Sequence, residues 1–499
     1  MHRSSFVIAL ILLGFFGFKV LRFQTFGYTF NDMYAFVQMA RSWIDGRPFM
    51  YDNIWGYHHR IHNYYTVLLW GPLVRAFGAY GLFIAQSMLL LISYGWVNER
   101  LIRSRLPAGW RYALLGVLLG GPVTLWLNDH PNIGWHTELS YWPAALLFAL
   151  ALTGRSRPAV VLTGLFIVLI KEDGAVLAAL IHLAYDGIRY VRRHPDRPLI
   201  TWLGSGRFWA IALGWSAVFG TGMVWLGYKN NFAEPRLQQA LHLIEANAGR
   251  GAFWQLTGQL VGQSGLLLLP ALGLLGGLAA QLRSRRARAL LSLWAIGVAV
   301  LTGLNFVQSA HYYGQPLYDL VALTWPPRFV LVWAFSAAFA LLLVLVAADE
   351  LRPVPLRRAG WVVAGLWLVQ VPILYLTRPD WPSARDWVAL LRGRPSTDKN
   401  PAYLQPADLQ RLRCLANRLP DQASVFAFDY VVPLFHRQYG IWPTGNQYAP
   451  ADVAVLPTDD PQGLRPKLPM RRPYRIIPLG AYRVYVTDAY EPAVRACLH

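Results

Sequence analysis

The sequence predicts an α-helical polytopic membrane protein of about 11 transmembrane segments, followed by a small extracytoplasmic α/β domain at the C-terminal end. Three observations carry that prediction. The 499 residues are 55% hydrophobic and only 14% charged, too few polar groups to clothe a soluble protein of this size. Apolar runs recur at close to the ~20 residues that a helix needs to cross a bilayer. Arginines cluster in alternate gaps between the runs, and beyond Thr377 the long runs stop.

The elements follow in order. The run Ser5 to Leu21 continues through Lys19 to Arg22 with no small-residue cleavage site, so it reads as an uncleaved signal anchor. Residues 22–64 form a long polar loop. Tyr65 to Val97 reads as one helix with a shorter entry piece interrupted at Pro72 and Arg75. Tyr112 to Leu127, Leu139 to Leu152, Ala159 to Ile170, Gly174 to Ile188, Phe208 to Tyr228, Leu260 to Ala280, Leu290 to Phe306, Phe329 to Ala347 and Trp361 to Leu376 complete the membrane domain, residues 1–377. The pair flanking Lys171-Glu172-Asp173 is short for a hydrocarbon core of roughly 30 Å. Counted as two segments, it puts every arginine-rich gap on one side, including those at Arg100 to Arg111, Arg189 to Arg207, Arg283 to Arg288 and Arg352 to Arg358. By the positive-inside rule that side and the N-terminus are cytoplasmic, and the chain resides in the cytoplasmic membrane. Residues 22–64, Asp129 to Glu138, Lys171 to Asp173, His311 to Arg328 and the C-terminal tail then share the outer face. The arginine clusters of the cytoplasmic gaps account for the formal net charge of +20, so no nucleic-acid partner is expected.

Residues 378–499 read as an extracytoplasmic α/β domain behind a linker holding Pro379, Pro382, Pro395 and Pro401. Pro406 to Leu419 is helix-like, and Ser424 to Phe428, Ala451 to Leu456 and Tyr474 to Val486 alternate as strands do. Both cysteines, Cys414 and Cys497, lie here; an oxidising compartment would allow a disulfide, and the sequence leaves the pairing open.

The outer loops hold the chemistry-bearing groups. In the first, Met33, Phe36, Val37, Ala40, Trp43 and Ile44 recur at helical spacing until Gly46-Arg47-Pro48, which predicts an interfacial helix with its apolar face toward lipid. Asp32 stands at its start, suited both to capping the first turn and to acting as a general base at the membrane surface. His58, His59 and His62 have spacings that could serve a metal, or hydrogen bonds to sugar or phosphate. His136 and Glu138 enter the next helix. Lys171, Glu172 and Asp173 must line a polar cavity or pair with one another. His311 returns to the same side, as does Arg328, which could hold a phosphate by a forked contact. No G-x-G-x-x-G or P-loop run is present to bind a nucleotide, and no Ser-His-Asp arrangement stands out.

The order of these features resembles the GT-C membrane glycosyltransferases, which use polyprenyl-phosphate sugars. More narrowly, Asn31 to Gly46, His62 ahead of the run to Pro72, His136-x-Glu138 and Lys171-Glu172-Asp173 are similar to a related bacterial family of membrane proteins known only as a domain of unknown function. The likeness covers about residues 20–190 and is architectural beyond. It implies a GT-C-like fold and an inverting transfer of sugar from a polyprenyl-phosphate donor to a glycolipid, polysaccharide or protein acceptor at the outer face. Asp32 would be the general base, and Glu138, Glu172 and Asp173 second acidic groups. His59, His62, His136, Lys171, His311 and Arg328 would contact sugar or phosphate. No cofactor is required, and Asn31-Asp32 in place of an acidic pair speaks against a divalent metal. A transporter or flippase of lipid-linked saccharides, or a noncatalytic envelope assembly protein, are the alternative expectations.

Overall fold

The structure, a computed structural model, describes residues 3–28, 32–104, 106–129, 133–154, 156–231, 236–282, 284–310, 326–346, 351–377, 383–395, 399–441, 450–460, 463, 470 and 473–498. Every apolar run of the sequence lies on helix. The order begins α1 (Arg3–Gln24), α2 (Asp32–Ser42), the short hairpin β1 (Tyr51–Asp52) and β2 (Gly56–Tyr57), α3 (Gly71–Phe77), α4 (Ala79–Arg103), α5 (Ala108–Gly120) and α6 (Pro122–Asn128). It continues with α7 (Tyr141–Gly154), α8 (Arg157–Ile170), α9 (Gly174–Arg193), α10 (Ile200–Leu203), α11 (Gly206–Lys229), α12 (Arg236–Ala248), α13 (Gly251–Ala279), α14 (Ser284–Ala310), α15 (Pro326–Val346) and α16 (Leu356–Thr377).

Among the described residues, six helices are long and apolar enough to cross a membrane: α1, α4, α11, α14, α15 and α16. The pair α5 and α6, bent by 46° at Gly121-Pro122, would make a seventh. The expected count of about 11 is therefore larger than the number of full-length spans. The difference lies in α7 and α8, with 14 residues each, in α9, whose second half is charged, and in α13, whose apolar part is Ser264–Ala279. Fourteen residues rise only about 21 Å. The most enclosed helices are α7 and α15, packed on each other with Trp142 stacked on Trp333 at 6.1 Å. From Phe329 to Val344 no side chain is more than 3% exposed, which is why these two runs carry no polar face. By contrast α11 buries none of its side chains.

Beyond α17 (Ala384–Leu391) and α18 (Pro406–Arg418), a five-stranded sheet forms from β3 (Ser424–Ala427), β4 (Tyr439–Ile441), β5 (Val453–Pro457), β6 (Arg475–Leu479) and β7 (Tyr482–Val486), in the order β4-β3-β5-β7-β6. Strand β3 runs parallel to β4 and β5, while β5, β7 and β6 are antiparallel. A disulfide joins Cys414 of α18 to Cys497, just past α19 (Glu491–Arg495), with Cα atoms 5.8 Å apart.

The first loop departs from its expected place. Helix α2 does not turn an apolar face to lipid: Met33 to Ser42 are all buried. Met33, Phe36 and Val37 share one apolar core with Val425, Val432 and Phe435 of the C-terminal sheet region, and α3 closes the other side. Gly71 permits that closure, since a Cβ there would meet the Ala40 carbonyl. Polar bonds hold the same contact. Gln38 Nε2 donates to the Gly440 carbonyl at 2.8 Å, Asn53 Nδ2 to Ser424 Oγ and the Tyr439 carbonyl at 3.1 Å each, and Tyr439 OH to Asp45 at 3.0 Å. Asp45 also receives Arg41 at 2.5 Å and Arg75 at 2.7 Å, so its buried charge is matched. At Gly78, φ +58°, the chain turns from α3 into α4, and His436 fills the space a Cβ would need while its Nδ1 accepts from Ala79 N at 3.1 Å.

Candidate functional site

The site forms where three loops meet at one end of the bundle. Helix α8 stops at Ile170 because Lys171 is extended and three ionisable groups interrupt the apolar run. Asp173 occupies the N-cap position of α9, yet its carboxylate does not cap. It accepts instead from Tyr141 OH and lies 3.4 Å from Lys171 Nζ. Lys171 Nζ also reaches Glu138 Oε1 at 2.7 Å, so one buried cation stands between two buried carboxylates. Glu138 arrives on a short turn that His136 caps, Nδ1 accepting from Glu138 N at 3.3 Å. Tyr64 OH reaches the same Glu138 oxygen at 3.4 Å, and Thr137 hydrogen-bonds Thr66 at 3.2 Å.

The first loop supplies the rest. His62 Nδ1 lies 2.8 Å from Glu172 Oε1, and Asn63 N donates to Glu172 Oε2 at 3.2 Å, so Glu172 clamps this loop with both oxygens. Asp52 is fully buried: Oδ1 accepts from Ile54 N at 2.8 Å and Trp55 N at 2.6 Å, and Oδ2 pairs with His58 Nδ1 at 3.1 Å. The Phe36 ring is the hub, with centroids of His136 at 4.7 Å, Trp135 at 5.3 Å, Tyr64 at 5.4 Å and His58 at 6.2 Å.

Asp32 stands one turn before Phe36 on the same face of α2. Among the described residues its carboxylate makes no hydrogen bond or ion pair, including none to the first turn of α2 that a cap would require. Burial raises its pKa to about 6; the positive charge of His58 opposes that rise, and the carboxylates of Asp52 and Glu138 add to it. It is thus a carboxylate that changes charge near neutral pH while its acidic neighbours are held by partners.

The structure therefore brings Asp32, His62, His136, Glu138, Lys171, Glu172 and Asp173 together. His59 stands apart and partly exposed, its Nδ1 3.1 Å from the Phe49 carbonyl and its pKa lowered by burial and by Lys229. His311 and the Arg328 side chain lie outside the described residues. Among the described residues no group of three or more His, Cys, Asp or Glu is arranged to hold a metal.

Sequence reasoning assigned no role to Lys229 and passed over Tyr64 and Tyr141. Lys229 ends α11 and donates to Asn63 Oδ1 and Tyr65 OH, both at 2.8 Å, near enough to Glu172 for that carboxylate to favour its charged form. Trp225 donates to the same Tyr65 hydroxyl at 2.6 Å and stacks on Tyr228 at 5.8 Å. A signal was present: of 46 basic residues only five are lysine, and Lys19, Lys171 and Lys229 all take buried or half-buried places at this end of the bundle. A narrow, mainly apolar crevice lies behind α2, between Tyr34, Val37, Ile54, Val425 and Phe435, with His436 and Gln438 at its wall; neither Asp32 nor Glu138 lines it. Neither a protein-family model, nor a curated protein, nor a solved structure matches the chain.

Proposed function

We propose that the protein is an integral membrane glycosyltransferase of the GT-C type, inverting, with Asp32 as general base. It would move a sugar from a polyprenyl-phosphate carrier to a glycolipid, polysaccharide or protein acceptor at the outer face of the cytoplasmic membrane. The observation that carries this reading is Asp32 itself: a carboxylate with no pairing partner among the described residues, titrating near 6, at the meeting point of three loops whose other carboxylates are already engaged. A base is most effective when its pKa lies near the working pH.

The chemistry asks for little else. As the acceptor oxygen attacks the anomeric carbon, Asp32 takes the hydroxyl proton, the bond from carbon to phosphate oxygen breaks, and the phosphate leaves with the electron pair. Lys171 is committed to Glu138 and Asp173, so it organises the site and does not hold the departing phosphate. Lys229 suits that task, because its hydrogen-bond partners are neutral oxygens and the neighbouring Trp225 and Tyr228 are exposed as interfacial aromatics are. In this reading the loop end of the bundle is the outer face, and the shorter helices α7, α8, α9 and α13 complete a membrane domain of about 11 segments by leaning on full-length neighbours.

The test is sugar transfer by purified protein from a panel of polyprenyl-phosphate sugars, with donor binding followed separately. Wild type should transfer, and Asp32→Asn should lose transfer by at least about 100-fold while donor binding persists. A wild type that binds lipid-linked sugar and never cleaves it would make the protein a carrier of such lipids instead.

A further inference from the structure

Beside Asp32 lies a second acid–histidine arrangement that the transfer step does not use. Asp52 is completely buried and held rigid by two backbone N–H groups on one oxygen, which leaves the other for His58 Nδ1. A histidine whose Nδ1–H is given to a carboxylate presents its Nε2 as a proton acceptor, and the carboxylate stabilises the imidazolium that forms. The His58 side chain is only 10% exposed, and among the described residues its Nε2 has no partner. The ring packs against Phe36 and Tyr64, on the side of α2 that carries Asp32 one turn earlier. Of the charged groups acting on Asp32, His58 has the largest effect, ahead of Asp52 and Glu138. Nε2 is not among the buried side-chain atoms that lack a partner, so it keeps a contact with solvent through which a proton can leave.

We propose that His58, oriented by Asp52, is a proton-relay residue that empties Asp32 after each transfer. The proposal rests on the glycosyltransferase reading. Asp32 holds the proton taken from the acceptor hydroxyl once the sugar has moved. The Asp32 O–H bond then breaks as an N–H bond forms at His58 Nε2, directly or across one water. The imidazolium, paired with the Asp52 carboxylate, passes the proton to bulk water and returns neutral, and Asp32 is a carboxylate again. No redox partner is needed. His58 and Asp52 are positioning residues here, since only Asp32 touches the acceptor.

The test reads Asp32 directly as well as through turnover. The infrared carboxyl band that Asp32→Asn removes is titrated in wild type and in His58→Gln, which keeps a hydrogen-bonding side chain without the titratable ring. The midpoint near 6 should move upward in His58→Gln, because the opposing positive charge is gone. Transfer by His58→Ala should fall about tenfold and recover on adding imidazole, which a structural defect would not do. Asp52→Asn retains the turn-forming oxygen and should slow transfer by a similar factor with donor affinity unchanged. An Asp32 midpoint unmoved by His58→Gln, with transfer by both His58 variants within twofold of wild type, overturns the relay while leaving Asp32 as base. A shifted midpoint with no transfer by wild type supports the coupled pair and removes the glycosyltransferase reading alone.

Discussion

Two polar clusters sit at the same end of the bundle and handle buried charge in opposite ways. Around Asp129 everything is matched. Arg22 reaches it at 2.6 Å and Tyr28 donates to it. Lys19 lies 3.7 Å away and gives further hydrogen bonds to the carbonyls of Asn128, at 2.8 Å, and Gly134. Around Asp32, by contrast, the carboxylate has neighbours but no partner among the described residues. The first arrangement fastens α1 to the loop before α7. The second keeps an ionisable group in a state the fold alone would not favour, as expected of a site kept for chemistry.

The comparison breaks most visibly on removing each acid. Asp129→Ala removes the carboxylate shared by the buried Lys19 and the partly buried Arg22 and should lower stability by about 3–5 kcal/mol, read as a fall in apparent Tm of the detergent-solubilised protein. A smaller effect attaches to the contact between the bundle and the C-terminal sheet. His436 caps Ala79 N as a neutral ring, and burial together with the cations Arg437 and Arg41 lowers its pKa to about 4. The unfolded chain protonates near 6.5 while the folded ring does not, so stability is fully present above 6.5 and is lost between 6.5 and 4. The loss should amount to about 2–3 kcal/mol at pH 4, and His436→Gln should abolish that slope in a Tm-against-pH series.

Asp32 carries the opposite sign. Its folded pKa of about 6 exceeds the ordinary 3.8, so the fold is penalised once the pH rises above 3.8, and the penalty is complete above 6. Asp32→Asn should therefore stabilise the protein at pH 7 by about 1–3 kcal/mol and change nothing at pH 3.5. A destabilised Asp32→Asn at pH 7 would mean that Asp32 is a structural cap after all. The smallest effect belongs to Asn53→Ala, which removes two hydrogen bonds to the sheet and should cost about 1–2 kcal/mol.

Much of this was legible in the chain because hydropathy is local. The helices follow the apolar runs, and the break at Lys171-Glu172-Asp173 follows from charges that an apolar helix cannot carry. What was not legible depends on distant partners. Helix α2 reads as amphipathic and interfacial, but Gln38 meets Gly440 and Asn53 meets Ser424, contacts no local pattern contains. Lys171 could be paired in sequence only with its neighbours Glu172 and Asp173, because its partner Glu138 is 33 residues away. From its position alone Asp32 reads more readily as a cap than as a base. Only the missing bond to the first turn and the charges from two other segments separate the two readings.

If Asp32 works as a base near neutral pH, the rate of sugar transfer should rise with pH through a midpoint near 6, on a limb that Asp32→Asn abolishes while donor remains bound. Transfer by Asp32→Asn at the wild-type rate, with the same pH dependence, would contradict that role.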